Sequence, residues 1–303
     1  MRRIDILLTG IAAWLFICTA GAQLLDNSKG QAFTEAPFFN TAFIRASKIK
    51  EIKGEYTFKK QGDIMRQTDY VYVFTFDELG RLIRHYETAR GTIVSDTMVR
   101  FYTYDSKNQL LSLRSSEQRG FMTTYYTYDD SGRVVKEEIW RDIDTLHSLL
   151  KPNIERSILW NSETMSYQYY GNQFRKKIYN SYGNQYLETT SYKDSLGYLS
   201  SVNDLYTITR DQYTTKYTYG NKGWIDNIKV FHNIEPQPVS EQQFTYDTYG
   251  NITSKKVYKN GVFTTEYQII YSGKTGLLSS ILTREVSSNF ISIIRFSEPT
   301  FWE

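Results

Sequence analysis

Apolar and polar residues alternate over short stretches along most of the chain. In the clearest stretch Phe244 and Tyr246 flank a threonine and are followed by Asp247, Gly250 and Ile252. Successive side chains of a strand point to opposite faces, so the two aromatic residues share one face. An Asp followed three residues later by Gly is typical of a tight turn, because Gly accepts a positive φ. The stretch therefore predicts a strand, a hairpin turn and a return strand.

We call the motif at residues 244–252 the phrase. Copies of it recur at intervals of about 24–28 residues, which is typical of a repeat architecture. Its Asp position is occupied in turn by Asp77, Asp105, Asp129, Tyr170, Asp194, Gly220 and Asp247, and a last copy precedes Gly276. Weaker turn signals, such as Asn260-Gly261, lie between the copies. These copies predict an all-β, up-and-down antiparallel meander of about 16 strands. Because open twisted sheets rarely exceed about ten strands, we expect the meander to curl into a barrel or a half-barrel.

Three parts of the chain depart from the repeat. Residues 1–22 resemble an export signal, residues 23–46 form an irregular lead-in, and residues 47–303 form the single repeat domain. Within that domain the spacing lengthens after Asp129, which places an irregular insertion near residues 140–165. This insertion is predicted to be either a helical turn or a longer hairpin. Because insertions in repeat proteins often lie on a functional face, Trp140 and Trp160, which flank it, are the candidate binding residues.

The first 22 residues indicate export. Arg2 and Arg3 precede an apolar run, and residues 20–22 read Ala-Gly-Ala, which suits signal cleavage before Gln23. Two alternatives are a membrane anchor, for which the run is short, and a lipid anchor at Cys18. Cys18 is the only cysteine, so cleavage would leave a chain that lacks disulfides and thiolate metal sites. We expect an exported protein, in the periplasm, at the cell surface or secreted.

Composition narrows the function classes further. The formal net charge is only +3, which argues against a dedicated nucleic-acid binder. No nucleophile elbow, phosphate loop or metal-ligand spacing is present, so the sequence predicts no catalytic, cofactor-binding or metal residues. The recurring Asp residues are interpreted as turn caps rather than calcium ligands, since they are single carboxylates one repeat apart. Aromatic residues make up 16% of the chain and are interpreted mainly as cross-strand partners that hold the sheet.

The phrase resembles the YD, or Rhs-type, repeat, whose core reads Tyr-x-Tyr-Asp-x-x-Gly-Arg-Leu. Residues 76–82 (Phe-Asp-Glu-Leu-Gly-Arg-Leu) and 128–134 (Tyr-Asp-Asp-Ser-Gly-Arg-Val) carry this resemblance, which extends over about residues 70–280. The chain is also similar to small exported YD-like, porin-like proteins of Gram-negative gut bacteria. The resemblance implies a long curling β-sheet, and it implies no particular activity.

Three functions remain open from the sequence. The first is a non-enzymatic surface or periplasmic module that binds a glycan or an envelope component. The second is an exported hydrolase with its site in the lumen of the curled sheet. The third is an outer-membrane pore, although charged residues such as Arg84 and Glu87 occur on both faces of the predicted strands.

Overall fold

The structure is a computed structural model that describes residues 23–88, 97–117, 120–145 and 149–303. The predicted signal segment and Cys18 therefore lie outside the described residues. Within the described part of the chain, no helix is both long enough and apolar enough to cross a membrane. The elements are α1 (Thr41–Ala46), β1 (Ile49–Lys59), β2 (Arg66–Phe76), β3 (Leu82–Thr88), β4 (Thr97–Tyr104), β5 (Leu110–Glu117), β6 (Gly120–Tyr128), β7 (Val134–Asp144), β8 (Ile154–Tyr170), β9 (Gln173–Tyr179), β10 (Gln185–Lys193), β11 (Leu199–Tyr206), β12 (Gln212–Tyr219), β13 (Ile225–His232), β14 (Ser240–Tyr246), β15 (Ile252–Lys259), β16 (Val262–Tyr271), β17 (Leu278–Glu285), β18 (Phe290–Phe296) and β19 (Thr300–Phe301).

The strands form a closed antiparallel barrel of 18 strands, which confirms the predicted all-β meander. Each strand from β1 to β18 pairs with the next, and β18 pairs back onto β1, with Tyr56 opposite Ile294. The short β19 adds a few further pairs to the start of β1. The repeat copies account for β2 to β17, as eight hairpins. The two additional strands, β1 and β18, are those that close the barrel.

The recurring Asp residues shape the turns at one end of the barrel, which we call the Asp-turn end. In the first of these turns, Oδ1 of Asp77 accepts hydrogen bonds from the backbone N–H groups of Leu79 and Arg81, at 3.0 and 2.9 Å. Gly80 then takes a φ of 80°. The same pair of bonds recurs at Asp105, Asp129, Asp194 and Asp247, and at Asn180 on the opposite end. The carboxylate thus satisfies two backbone donors that the turn leaves unpaired.

In at least five repeats a tyrosine hydroxyl joins the repeat to the one before it. The hydroxyl of Tyr104 donates to the backbone carbonyl of Leu82 at 2.8 Å, and that of Tyr128 donates to Leu110 at 2.8 Å. The same bond recurs from Tyr219 to Leu199, from Tyr246 to Ile225 and from Tyr271 to Ile252. In each case the acceptor is the first residue of the previous return strand. The last aromatic residue of the phrase therefore contributes a bond between repeats as well as apolar area.

The two faces of the barrel wall differ sharply in character. The buried core residues of the strands, such as Phe74, Ile228 and Phe244, lie on the inner face. Ion pairs occupy the alternate, outward positions: Lys53–Glu55, Arg84–Glu51, Lys136–Glu138, Arg175–Glu188, Lys229–Glu241 and Arg284–Glu266. Because side chains alternate along a strand, the inward apolar cluster and the outward ion pairs follow from one sequence pattern.

The lead-in folds into the lumen and supplies much of the core. Leu24, Leu25 and Ile44 are fully buried and cluster with residues of β1–β4 and β13–β18. Phe39 packs edge-on against Phe74 and Phe76, with ring centroids 4.7 and 4.9 Å apart. Polar contacts also hold the lead-in: Glu35 with Arg100 (2.5 Å), Asn27 with the Tyr246 hydroxyl (3.0 Å) and Lys255 with the carbonyl of Ala32 (3.2 Å). A wide barrel would otherwise leave its centre empty, so this segment fills the lumen beside those strands.

Residues 140–165 belong to a long hairpin. β7 and β8 pair from Lys136 opposite Thr164 to Asp144 opposite Ile154, with irregularities after Ile139 and after Ile143. Asp142 anchors the hairpin from the outer face. It is fully buried, and its carboxylate accepts hydrogen bonds from Arg114, Thr123 and Ser157 at 3.1, 2.5 and 2.6 Å. Both oxygens of this carboxylate accept hydrogen bonds, so the cost of burying it is compensated.

Candidate ligand site at the barrel mouth

A cavity of about 540 Å³ opens at the Asp-turn end, between the lead-in and strands β10 to β14 with the turn that follows β14. One side is formed by the first residues of the lead-in, from Gln23 to Lys29. The other side is formed by inward residues of the strands and by glycines of three turns, Gly197, Gly223 and Gly250. Cavities of roughly 300–1,000 Å³ hold small-molecule ligands in proteins. The volume therefore suits a small ligand of one or two rings.

Five aromatic side chains line this cavity: Tyr198, Tyr217, Tyr219, Trp224 and Tyr246. Trp224 lies against Tyr246 with ring centroids 5.3 Å apart, and Tyr198 lies against Tyr219 at 4.9 Å. Tyr219 and Tyr246 are fixed by the hydroxyl bonds that join the repeats. The aromatic surface is consequently preorganised, because little side-chain freedom is left to lose on binding.

Polar groups complete the lining. Lys29 and Lys193 reach the cavity, and within the described part of the chain neither forms an ion pair with a carboxylate. Asp26, Asn27 and Gln23 add a carboxylate and two amides. Asn27 is held in place by its bonds to Tyr246 and to the backbone of Ala32. The cavity thus combines aromatic faces with both donors and acceptors.

Burial disfavours ionisation of three tyrosines of the cavity, Tyr217, Tyr219 and Tyr246. Desolvation raises the pKa of Tyr246 to about 12, the bond from Asn27 opposing the shift. Desolvation also raises the pKa of Tyr217, with Asp204 adding to the effect, and of Tyr219. These phenols act as hydrogen-bond donors and apolar surfaces rather than as anions.

Two glycines allow the aromatic residues to pack closely. A Cβ atom on Gly223 would lie 2.4 Å from the Tyr198 hydroxyl, and one on Gly250 would lie 2.4 Å from the Trp224 ring. Both glycines have positive φ values, 76° and 90°. The turn that the sequence predicts at Gly250 therefore has a second role, which is to admit the indole ring of Trp224 to the cavity wall.

The two candidates from the sequence, Trp140 and Trp160, lie elsewhere. Trp140 lines a shallow groove of about 550 Å³ with Tyr125, Glu138 and Ser157. Trp160 stands at an irregularity of β8 with 67% of its surface exposed, and it lines neither this groove nor the mouth cavity. Their role in binding stays a prediction.

The mouth residues were missed because each resembles an ordinary member of the repeat. Tyr217, Tyr219 and Tyr246 belong to copies of the phrase, which we interpreted as structural. One signal was present: Trp224 stands where other copies have Arg81 and Arg133 after the turn glycine. Those arginines bond the turn aspartate at 2.7 Å, whereas the copy with Trp224 has Gly220 in place of that aspartate. The absence of both partners distinguishes this turn from those at Asp77 and Asp129.

A second inner-face cluster contains a pair of carboxylates. Glu137 and Glu163 are direct neighbours in the β7–β8 register. Desolvation, reinforced by Glu163, raises the pKa of Glu137. Glu163 accepts hydrogen bonds from the Tyr186 hydroxyl and from Asn161, at 2.8 and 3.1 Å. Two carboxylates in unlike environments are an arrangement that can divide acid and base roles.

Comparisons with known proteins give distant likenesses only. No protein-family model matches the sequence, and no curated protein matches it either. A porin-like protein from Bacteroides uniformis is similar in structure, with 10% identity and a TM-score of 0.39 over 82% of this chain and 97% of that one. A porin-like protein from Bacteroides vulgatus gives 13% identity and a TM-score of 0.33 over 80% and 96% of the two chains. The structure of TcdB2-TccC3-TEV gives 12% identity and a TM-score of 0.29, over 75% of this chain and 16% of that chain. Likenesses this distant carry no argument about function.

Proposed function

We propose that this protein is an exported, non-enzymatic binding module whose mouth cavity holds a small glycan or a sugar-bearing envelope component. The observation that carries the proposal is the cavity lined by five aromatic side chains together with Lys29, Lys193 and amide groups. Aromatic faces pack against the C–H faces of sugar rings, while amides and ammonium groups bind hydroxyl and carboxylate oxygens. The two lysines favour a sugar that carries a negative charge.

Tryptophan fluorescence and calorimetry with a panel of neutral and acidic oligosaccharides test this proposal. We expect saturable binding that Trp224→Ala reduces at least tenfold. The matched control is Trp160→Ala, which removes an exposed indole that does not line the cavity. Loss of binding in Trp160→Ala but not in Trp224→Ala would show that the ligand binds at the β7–β8 hairpin instead of the mouth cavity. No binding by the parent protein to any member of the panel would refute the proposal.

A hydrolase with its site in the lumen is the second candidate, favoured by the raised pKa of Glu137 beside Glu163. In this case Glu137 would be the proton donor and Glu163 the ionised partner, as in enzymes that cleave glycosidic bonds with two carboxylates. Incubation of the protein with glycoside substrates tests it. Product release that Glu137→Gln abolishes, with folding intact, would replace the binding proposal.

The outer-membrane pore, left open by the sequence, has one feature in its favour, the closed barrel of 18 strands. Barrels of this size can leave a water channel. Against it, outward strand positions carry ion pairs such as Lys229–Glu241 and Arg284–Glu266. Lysine or arginine facing lipid at the midplane costs roughly 2–4 kcal/mol each. Recovery of the folded protein in buffer without detergent would exclude the pore, whereas conductance in planar bilayers would establish it.

A further inference from the structure

One side of β8 has a free backbone edge. β9 pairs with β8 only from Thr164 to Tyr170, whereas β7 pairs with β8 from Ile154 to Thr164. Residues 154–163 therefore have a strand on one side, and none of the described strands pairs with the other side. This edge is roughly 33 Å long at about 3.3 Å per residue. Along it, alternate residues direct backbone N–H and C=O groups away from β7.

The side chains along this edge are unusually exposed. All six residues from Glu155 to Trp160 are exposed, so the alternation of buried and exposed positions seen elsewhere is lost. The exposed residues include three large apolar ones in a row, Ile158 (38%), Leu159 (46%) and Trp160 (67%). A free edge with apolar side chains is a template for the addition of another strand.

We propose that this edge pairs with the same edge of a second copy of the chain, forming a two-fold symmetric dimer with β8 next to β8. Sequence complementarity selects this occupant. In an antiparallel register centred on Ile158, that residue faces its own copy. The guanidinium of Arg156 then comes within reach of the Trp160 indole of the second copy, which lies just beyond the regular segment Arg156–Leu159. The pairing therefore offers two cation–π contacts and brings no like charges opposite each other.

The geometry also limits the length of the pairing. The β7–β8 register is irregular on both sides of the segment Arg156–Leu159, at Glu155 and at Trp160. Irregularities of this kind bend a strand and interrupt its ladder. The dimer is consequently built on a short ladder plus the apolar side chains, so we expect it to dissociate on dilution rather than to extend into fibres. A two-fold symmetric interface uses the same edge of both copies, so no free edge is left for a third copy.

Sedimentation over a concentration series of the full chain tests the proposal. We expect a reversible monomer–dimer equilibrium whose dissociation constant rises at least tenfold in Ile158→Lys, because two lysines would then face each other. The control is Ile208→Lys, which changes an exposed isoleucine (78%) in the turn after β11. A chain that is monomeric at every concentration, or one equally affected by both variants, would overturn the proposal. Capture of extended peptides by β8 without self-association would also overturn it.

Disulfide trapping gives a second readout that does not depend on affinity. The only native cysteine is Cys18, outside the described residues, so a new cysteine is readily followed against the parent chain. Ile158→Cys lies on the two-fold axis of the proposed pairing, where opposed Cα atoms of antiparallel strands lie about 4.5–5.5 Å apart, within disulfide reach. We expect covalent dimers of Ile158→Cys on mild oxidation and none of Ile208→Cys. Equal dimer formation by both variants would indicate random collision and contradict the proposal.

Discussion

Replacing Gly80 by alanine tests whether the lead-in is seated inside the barrel. Gly80 ends the first Asp turn with a φ of 80°, and α1 lies directly against it. A Cβ atom at this position would be 2.3 Å from the carbonyl oxygen of Thr41 and 2.7 Å from the backbone nitrogen of Arg45. Both are backbone atoms of α1, so the clash cannot be relieved by turning a flexible side chain.

Gly197 provides a matched comparison. It ends an equivalent turn, at Asp194, with a φ of 87°, and a Cβ atom there would meet nothing within 4 Å. Alanine at either position incurs the left-handed backbone cost, roughly 1–2 kcal/mol. Only Gly80→Ala also has to displace α1, and overpacking of this kind costs about 1–3 kcal/mol. We therefore expect a loss of about 2–5 kcal/mol in the free energy of unfolding for Gly80→Ala, against about 1–2 kcal/mol for Gly197→Ala.

Urea denaturation followed by circular dichroism measures both losses as shifts of the midpoint at constant slope. The displaced helix carries Ile44, which is fully buried in the cluster formed with the barrel strands. Proteolysis of the lead-in should accordingly be faster in Gly80→Ala than in Gly197→Ala. Equal losses of stability in the two variants would refute the contact between α1 and the turn. A neutral Gly197→Ala would instead refute the positive φ of these turns.

Three further predictions concern hydrogen bonds and one buried charge of the barrel. Tyr104→Phe removes the hydroxyl donor to the Leu82 carbonyl and should lower the free energy of unfolding by about 1 kcal/mol, whereas Tyr182→Phe, at an 87% exposed tyrosine, should have no effect in the same urea titration. Asp105→Ala removes the acceptor of two turn N–H bonds and should cost about 1–2 kcal/mol; an unchanged urea midpoint would contradict the capping role. Burial lowers the pKa of Lys255 from 10.5 to about 8. Between pH 8 and pH 10.5 the unfolded chain therefore holds a proton on this lysine that the folded chain has lost. The free energy of unfolding should consequently rise by about 3 kcal/mol as the pH increases through this range. In Lys255→Met this rise should disappear. Buried tyrosines destabilise both proteins above pH 10, so the effect of Lys255 is measured as the difference between their two stability–pH curves.

Particular residues show how far the sequence could be interpreted and where it could not. The strand before Asp77 and the turn to Gly80 were predictable, since alternation and the Asp-x-x-Gly spacing act within a few residues. The bond from Tyr104 to Leu82 was not, because the two residues are 22 apart and meet only once neighbouring hairpins pair. Trp224 was overlooked as a cavity residue for the same reason. Its partners Gly250 and Tyr246 come from the next copy of the phrase.

The strands, the turns and their up-and-down order could be predicted from the amino-acid sequence, because each depends on contacts between near neighbours in the chain. The pairing of β18 with β1, the filling of the lumen by the lead-in and the cavity between the lead-in and the strands emerge only in the folded barrel. These features depend on pairs of residues separated by more than 200 positions, such as Asn27 and Tyr246. Local periodicity carries no information about such pairs, since it specifies which face a side chain occupies but not what lies opposite that face.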